Sequence, residues 1–307
     1  MKAILVTGIN GFVGRHLAKE LHSQGYSIIG TGMDEQLADE LSEIVVEFIG
    51  PCDLTKRHDI ARLPFEKIDK VINLAGLAQI GYSFSQNERY QHINVQVHKT
   101  LVEFLHKSGE LKTRIVAVSS GAVYDSKQSM PLHEESATIK EGSPYALSKL
   151  AMENSLRPFV EQGMDIIIAR PFNHIGPGQS PGFILPDLAN QVMTQSTVST
   201  GNLSSKRDYT DVRDVVKAYS LLATSEDIKH AVYNICSGTS VSGESILRAL
   251  IEESGKSDIS IEFDDSRIRP NDPSEIVGDY SRLQSDTGWS PRIPIQQTIH
   301  DYMQSNL

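Results

Sequence analysis

The chain predicts an α/β protein whose core is a doubly wound parallel sheet, with a smaller lobe in its C-terminal third. Three observations carry that expectation. Short apolar runs alternate with amphipathic stretches through the first two thirds, a triplet of glycines follows the first run, and longer polar loops take over after Gly176. Parallel strands need crossover connections, usually helices, so this alternation argues for parallel pairing.

In chain order, AILVTG (3–8), YSIIGTG (26–32), IVVEFIG (44–50), KVINLAG (70–76), RIVAVSS (114–120) and MDIIIAR (164–170) read as strands. Val13, Leu17 and Leu21, then Val95, Leu101 and Leu105, recur at helical spacing between them. Isolated helices are expected over 183–195, 211–225 and 242–255, and short strands near 231–236 and 259–263. Residues 1–172 should form the sheet-bearing unit. Residues 173–307 should form mainly the smaller lobe, with excursions back to the sheet. Between them, ARPFNHIGPGQSPGF (169–183) mixes fixed-φ prolines with permissive glycines, so the chain is expected to leave the sixth strand at Arg170 and Pro171. Neither helix nor regular strand should follow, only a ligand-holding loop at the strand ends.

Composition narrows the function classes. The chain has 307 residues, 39% hydrophobic and 22% charged, which is ordinary for a globular protein. A net charge of −10 without any Lys/Arg block argues against nucleic-acid or acidic-membrane partners. No apolar run approaches the ~18 residues of a membrane span. Cys52 and Cys236 lie far apart without metal-ligand spacing. With no signal peptide evident, both read as reduced buried residues of a cytoplasmic protein. The histidines show no ligand spacing either, so no metal site is expected.

VTGINGFVG places Gly8, Gly11 and Gly14 at three-residue spacing, after a strand and at the start of a helix. The first glycine suits a tight turn, the second lets backbone approach a pyrophosphate, and the third lets the helix pack closely. The helix N-terminus adds free N–H groups for the phosphates. A Rossmann dinucleotide site is therefore expected, with Asn10, Phe12 and Val13 in the same turn. At the end of the second strand Gly32 stands where a ribose-binding acid normally falls, and Asp34 comes two residues later. The displaced acid tilts the expectation from NAD toward NADP, although no arginine is there to meet a 2′-phosphate. Asp53 and Leu54 are placed to touch adenine. Leu74, Ala75 and Gly76 end the fourth strand and leave room for the cofactor.

The strongest chemistry lies in SPYALSK, where Tyr145 and Lys149 share one helix face. An ammonium beside a phenol is expected to lower its pKa from ~10 and make Tyr145 an acid or base for alcohol–ketone interconversion. Ser119 and Ser120 end the preceding strand, and a hydroxyl there can polarise the same substrate oxygen.

TGxxGxxG, SSGAVY and YALSK, in this order, resemble the extended short-chain dehydrogenase/reductases, the NAD-dependent epimerase/dehydratase family, that act on nucleotide sugars. The similarity covers nearly the whole chain. It implies Ser120, Tyr145 and Lys149 as the catalytic triad, with Lys149 also holding the nicotinamide ribose and Asn94 supporting the site from behind. Dehydratases of that family carry an acid and a base just after the serine. Here those positions are Gly121 and Ala122, which cannot transfer protons. The long loops resemble the branch that reduces GDP-4-keto-6-deoxy-D-mannose to GDP-D-rhamnose. That resemblance implies Asn173 at the diphosphate, Phe172 and His174 at the wall near the nicotinamide, Arg207 at the diphosphate or nucleoside and Arg269 as a phosphate clamp; Arg170 joins the cofactor set. It also implies a homodimer formed through the helices near 92–108 and 145–162. A 4-epimerase with retained NAD and a non-catalytic dinucleotide sensor remain the rival readings.

Overall fold

A computed structural model describes residues 2–265 and 272–305 of the chain. Its main sheet comprises β1 (Ala3–Thr7), β2 (Ile28–Thr31), β3 (Glu47–Ile49), β4 (Ile68–Asn73), β5 (Arg114–Val118), β6 (Ile166–Pro171) and β10 (Val232–Ile235). These lie in the spatial order β3-β2-β1-β4-β5-β6-β10, with every neighbouring pair parallel. Six of these strands fall where the apolar runs predicted. The seventh is the short strand expected near 231–236, which returns to the main sheet to pair with β6.

Both faces of the sheet are covered, which explains why its strands read as nearly continuous apolar runs. Ile4 and Val6 point to one core, shared with Leu17 and Leu21 of α1 (Phe12–Ser23) and with Val215, Tyr219 and Leu222 of α7 (Val212–Thr224). Ala3 and Leu5 point to the other. There they meet Leu101 and Leu105 of α4 (Asn87–Ser108) and Met152 and Leu156 of α5 (Pro144–Glu161). The short helices α2 (Arg57–Ile60) and α3 (Ile80–Ser83) lie in the connections before and after β4. Helix α5 starts where its sequence says it should: Ser143 caps the Ala146 amide and Pro144 takes the first turn.

The remaining elements build a second layer. Helices α6 (Ile184–Thr194), α8 (Gly243–Ser254) and α10 (Ile295–Ser305) share a core of Leu185, Leu188, Val192, Ile246, Leu250, Ile299 and Met303. Beside it, β9 (Lys206–Asp211) pairs with β7 (Asn173–Ile175), β11 (Ser240–Ser242) and β13 (Glu275–Ile276). Strands β8 (Thr197–Thr200) and β12 (Ser260–Phe263) form a separate parallel pair, whereas α9 (Ser281–Thr287) returns to the main sheet, where Leu283 joins the core of α1 and α7.

The 169–183 stretch corrects the sequence reading. Arg170 and Pro171 do not break β6; they lie inside it opposite Asn234 and Ile235, and Phe172 continues the pairing through its amide. Asn173–Ile175 then form a true strand, because β9 supplies a neighbour that no local pattern could announce. Irregular backbone begins only at Gly176.

Candidate active site

Strands β1 and β4 are neighbours, yet the chain winds away from them in opposite directions. The crevice above their C-terminal ends is therefore the natural ligand position. At its floor Gly8 adopts φ +65, the left-handed conformation a tight turn requires. A Cβ on Gly14 would lie 2.6 Å from the Ile9 carbonyl oxygen, and one on Gly11 would lie 3.1 Å from that of Gly8. Backbone thus comes as close as a pyrophosphate cradle demands, and no side chain caps the first turn of α1, whose N–H groups face the crevice mouth. The residues present fit a dinucleotide.

The side chains around this cradle organise it more than they reach into it. Asn10 donates from Nδ2 to Asp34 Oδ2 (3.0 Å) and to the Gln36 carbonyl (2.8 Å), and its Oδ1 accepts from the Ala38 amide (3.0 Å). It pins the loop after β2 and sets the position of Asp34. Asp53 closes its own turn, accepting from the Thr55 amide and hydroxyl, while Leu54 is buried. Val13 and Leu74 pack against one core and Ala75 against the other. The Ala75 amide donates to Thr7 Oγ1 (3.1 Å) and Asn73 Oδ1 (3.2 Å), fixing the end of β4. Gly76 is equally confined, since a Cβ there would stand 2.9 Å from Asn94 Oδ1. Phe12 stacks on His174, with centroids 6.2 Å apart, and so joins the glycine turn to β7.

Across the seam between β5 and α5 the chemistry concentrates. Ser120, Tyr145 and Lys149 are 9%, 8% and 5% exposed. Ser120 Oγ accepts from the Ala122 amide and lies against the Tyr145 phenol. Lys149 Nζ donates to the Val118 carbonyl (2.9 Å). Asn94 is fully buried and pairs with both backbone groups of Leu77 and with Ser148 Oγ (2.9 Å), bracing α5 against α4. Tyr90, one turn before Asn94, sets its ring edge-on to Tyr145.

The electrostatics differ from the sequence expectation. Burial pushes the Tyr145 phenol up from its ordinary value, and the Ser120 hydroxyl only partly offsets this. Burial likewise brings Lys149 down to about 8, against the upward pull of the Glu153 carboxylate. Lys149 commits one of its donors to a backbone carbonyl, and the Tyr145 phenol is governed by burial instead of by the expected lysine depression.

Several expected ligand contacts are structural instead. The Arg170 guanidinium donates to both Glu153 oxygens (2.9 and 2.6 Å) and to Tyr124 Oη (2.9 Å), and its head lies over the Tyr124 ring, 4.8 Å from the centroid. It is buried beneath the seam, engaged by protein on every side observed, and not aimed at a cofactor. Ser119 is buried and its hydroxyl donates to Glu153 Oε1 (2.5 Å). Phe172 is buried with Tyr124, Leu132 and Cys236; it supports Gly121, where a Cβ would lie 2.8 Å from its ring. His174 lies against the Phe172 carbonyl, and burial lowers its pKa. Asn173 is exposed on β7. Arg207 donates to Asp272 Oδ1 (2.7 Å) and the Pro273 carbonyl (2.8 Å) on the small sheet. Arg269 lies outside the described residues.

Sequence reasoning missed Glu153, Tyr124, Asn234 and Tyr90. Glu153 left a trace, standing four residues after Lys149 as Lys149 stands after Tyr145. Tyr124 and Asn234 left none, because their hydrogen bond (2.6 Å) joins positions 110 residues apart.

A nucleotide cradle at the switch point of a parallel sheet, beside a buried Ser–Tyr–Lys group, defines a nucleotide-dependent oxidoreductase. The chain belongs to the NAD dependent epimerase/dehydratase family, which it matches over residues 4–236. It is 32% identical to the GDP-6-deoxy-D-mannose reductase of Pseudomonas aeruginosa, over 96% of this chain and 94% of that one. It is 26% identical to UDP-glucose 4-epimerase 3 of Oryza sativa subsp. japonica, over 97% and 88%. Among solved structures it resembles RMD from Pseudomonas aeruginosa complexed with NADPH, with a TM-score of 0.83 and 29% identity over 99% and 98% of the two chains. The protein is thus an oxidoreductase-type member of a family of nucleotide-sugar reductases and epimerases.

Among the described residues, no helix is long and apolar enough to cross a membrane, and no cluster of three metal-ligating side chains occurs.

Proposed function

We propose that the protein reduces the 4-keto group of a nucleotide-linked 6-deoxyhexose, GDP-4-keto-6-deoxy-D-mannose, to give GDP-D-rhamnose, a reading supported by its 32% identity to a GDP-6-deoxy-D-mannose reductase. The glycine turn and the ends of β1 and β4 would hold NADPH or NADH, which when bound would supply the hydride. The observation that carries this reading is the buried seam of Ser120, Tyr145 and Lys149 in a chain 32% identical to a GDP-6-deoxy-D-mannose reductase.

The chain's own residues divide the work. Ser120 donates a hydrogen bond to the sugar O4. Tyr145, which burial holds in its protonated form, delivers a proton to that oxygen as negative charge builds. Lys149 keeps one N–H on Val118 and has others for the ribose hydroxyls and for the phenolate left behind. Dehydration is disfavoured because Phe172 fills the space that any side chain at position 121 would need.

NADPH is the expected partner, as in the solved Pseudomonas aeruginosa relative, with Asp34 the residue most opposed to its 2′-phosphate. Arg207 and Asn173, with Arg269 from outside the described residues, would receive the diphosphate and nucleoside. Pairing of two copies through α4 and α5 and a reducing, cytoplasmic setting complete the reading; Cys52 and Cys236 are both buried and unpaired.

The experiment offers GDP-4-keto-6-deoxymannose with NADPH or NADH and identifies the product sugar while following nicotinamide absorbance. Stoichiometric oxidation of the nicotinamide with a 4-hydroxy product is expected. Sugar interconversion with no net oxidation would replace this reading with that of a 4-epimerase, which the UDP-glucose 4-epimerase relatives support.

A further inference from the structure

Tyr145, Lys149 and Glu153 occupy successive turns of one face of α5, and each meets a different residue at the end of β5. Tyr145 lies against Ser120, Lys149 Nζ holds the Val118 carbonyl, and Glu153 Oε1 accepts from the Ser119 hydroxyl. Three consecutive residues of the strand end are thus gripped by three consecutive turns of the helix. Glu153 is the only one of the three helix residues with no place in the proton transfer, yet it is as buried as the others, at 6% exposed.

The carboxylate is built into a continuous polar chain beneath the seam. Arg170 of β6 meets both its oxygens, Tyr124 Oη accepts from Arg170 and donates to Asn234 Oδ1, and Asn234 of β10 donates to the Leu132 and Asp279 carbonyls. An ion pair this deep repays its desolvation only when the remaining hydrogen-bonding positions are filled, and here they are. Its net stabilisation is small for that reason, which leaves geometry as what it supplies. A rigid support under a strand end that carries a reacting serine is where such precision matters, because a misplacement of about 1 Å can lower turnover roughly 100-fold.

We propose that Glu153, with Arg170 as its counter-ion, is a positioning residue for the reaction: by holding Ser119 it fixes the Val118–Ser120 turn against α5 and so sets Ser120 and Lys149 relative to Tyr145. This rests on the reductive reading above. It reassigns Ser119 from substrate contact to tether and Arg170 from cofactor contact to support. The charged and titratable groups around Lys149 are Glu153 on its own helix and His98 from α4; those around Glu153 are Lys149, Arg170 and Tyr124.

The test starts from wild-type enzyme that turns over a 4-keto nucleotide sugar; absence of that turnover would refute the reductive reading and is seen before any variant is made. Ser119→Ala is expected to lower kcat roughly 100-fold with KM unchanged, and Ser119→Thr, which restores a hydroxyl, to recover most of it. Glu153→Gln leaves Arg170 buried without its charge partner, so Glu153→Gln/Arg170→Met removes both charges together. In the double variant, free of ligand, NMR of 13Cε-labelled lysine should show Lys149 titrating at lower pH than in the wild type, since the carboxylate that raises it is gone. Wild-type kcat in Ser119→Ala, a raised KM with unchanged kcat, or an unmoved Lys149 titration in the double variant would each overturn the proposal.

Discussion

The two walls of the crevice are made differently. On the side of the large sheet, the groups proposed to react hang from one helix and one strand end, are nearly fully buried, and meet partners clustered at Val118–Ser120. On the side of the small sheet, β7, β9, β11 and β13 come from four separate stretches between residues 173 and 276, and Asn173 and Arg207 on them are more open to solvent, while Asp208, Thr210 and Asp211 of β9 are buried. Lys149 is 5% exposed, whereas the side chain of Arg207 is 17% exposed and its partner Asp272 27%. Proton transfer tolerates little misplacement, so it is housed where the fold is stiffest. Recognition of a diphosphate tolerates more, and long side chains on short strands can adapt to it.

That contrast predicts a graded series of effects. Tyr145→Phe should lower turnover by ~10²–10⁴-fold, the contribution of a missing acid, while the dissociation constant for NADPH stays within about twofold; sugar reduction at the wild-type rate in this variant would remove Tyr145 from its role. Gly14→Val is next. Its side chain collides with the Ile9 carbonyl oxygen, so α1 must move and cofactor affinity should collapse together with thermal stability. Calorimetry that found NADPH affinity intact would show that the cradle is not built on this contact.

The pH dependence of Lys149 comes third. Its folded pKa, about 8, lies below the ordinary 10.5, so between these values the unfolded chain binds more protons than the folded one. The lysine's contribution to stability should therefore rise with pH across that window. Denaturation midpoints of wild type and Lys149→Met, compared across the window, should diverge in that direction; parallel curves would contradict it.

On the opposite wall, Arg207→Ala should raise KM for the nucleotide sugar by about 10- to 100-fold, the loss of one charge-assisted contact. Its kcat should barely change, and stability should shift by no more than about 1 kcal/mol, since the Asp272 pair is partly exposed. An effect on kcat as large as that of Ser119→Ala would erase the distinction between the walls. Smallest of all, Asp34→Ala should improve NADPH over NADH by less than about tenfold, by removing a carboxylate beside the adenosine ribose. Competition binding of the two cofactors reads this directly.

What the sequence determined was whatever its chemistry makes local. Glycine spacing after a strand, Tyr145 and Lys149 one helical turn apart, and two serines at a strand end each follow from neighbours along the chain. The alternating runs were enough for six of the seven parallel strands, because a sheet covered on both faces leaves a continuous apolar signature. Tertiary structure decided everything that depends on partners far away in sequence. Asn173–Ile175 became a strand only because β9 lies beside it, and Arg170 serves Glu153 instead of a phosphate because β6 passes under α5. The same holds for protonation. Spacing placed a phenol and an ammonium on one helix face, but burial, which no spacing reveals, raised the pKa of the phenol and lowered that of the ammonium. Hydrophobic periodicity reports which face of an element is covered; only the folded chain reports what covers it.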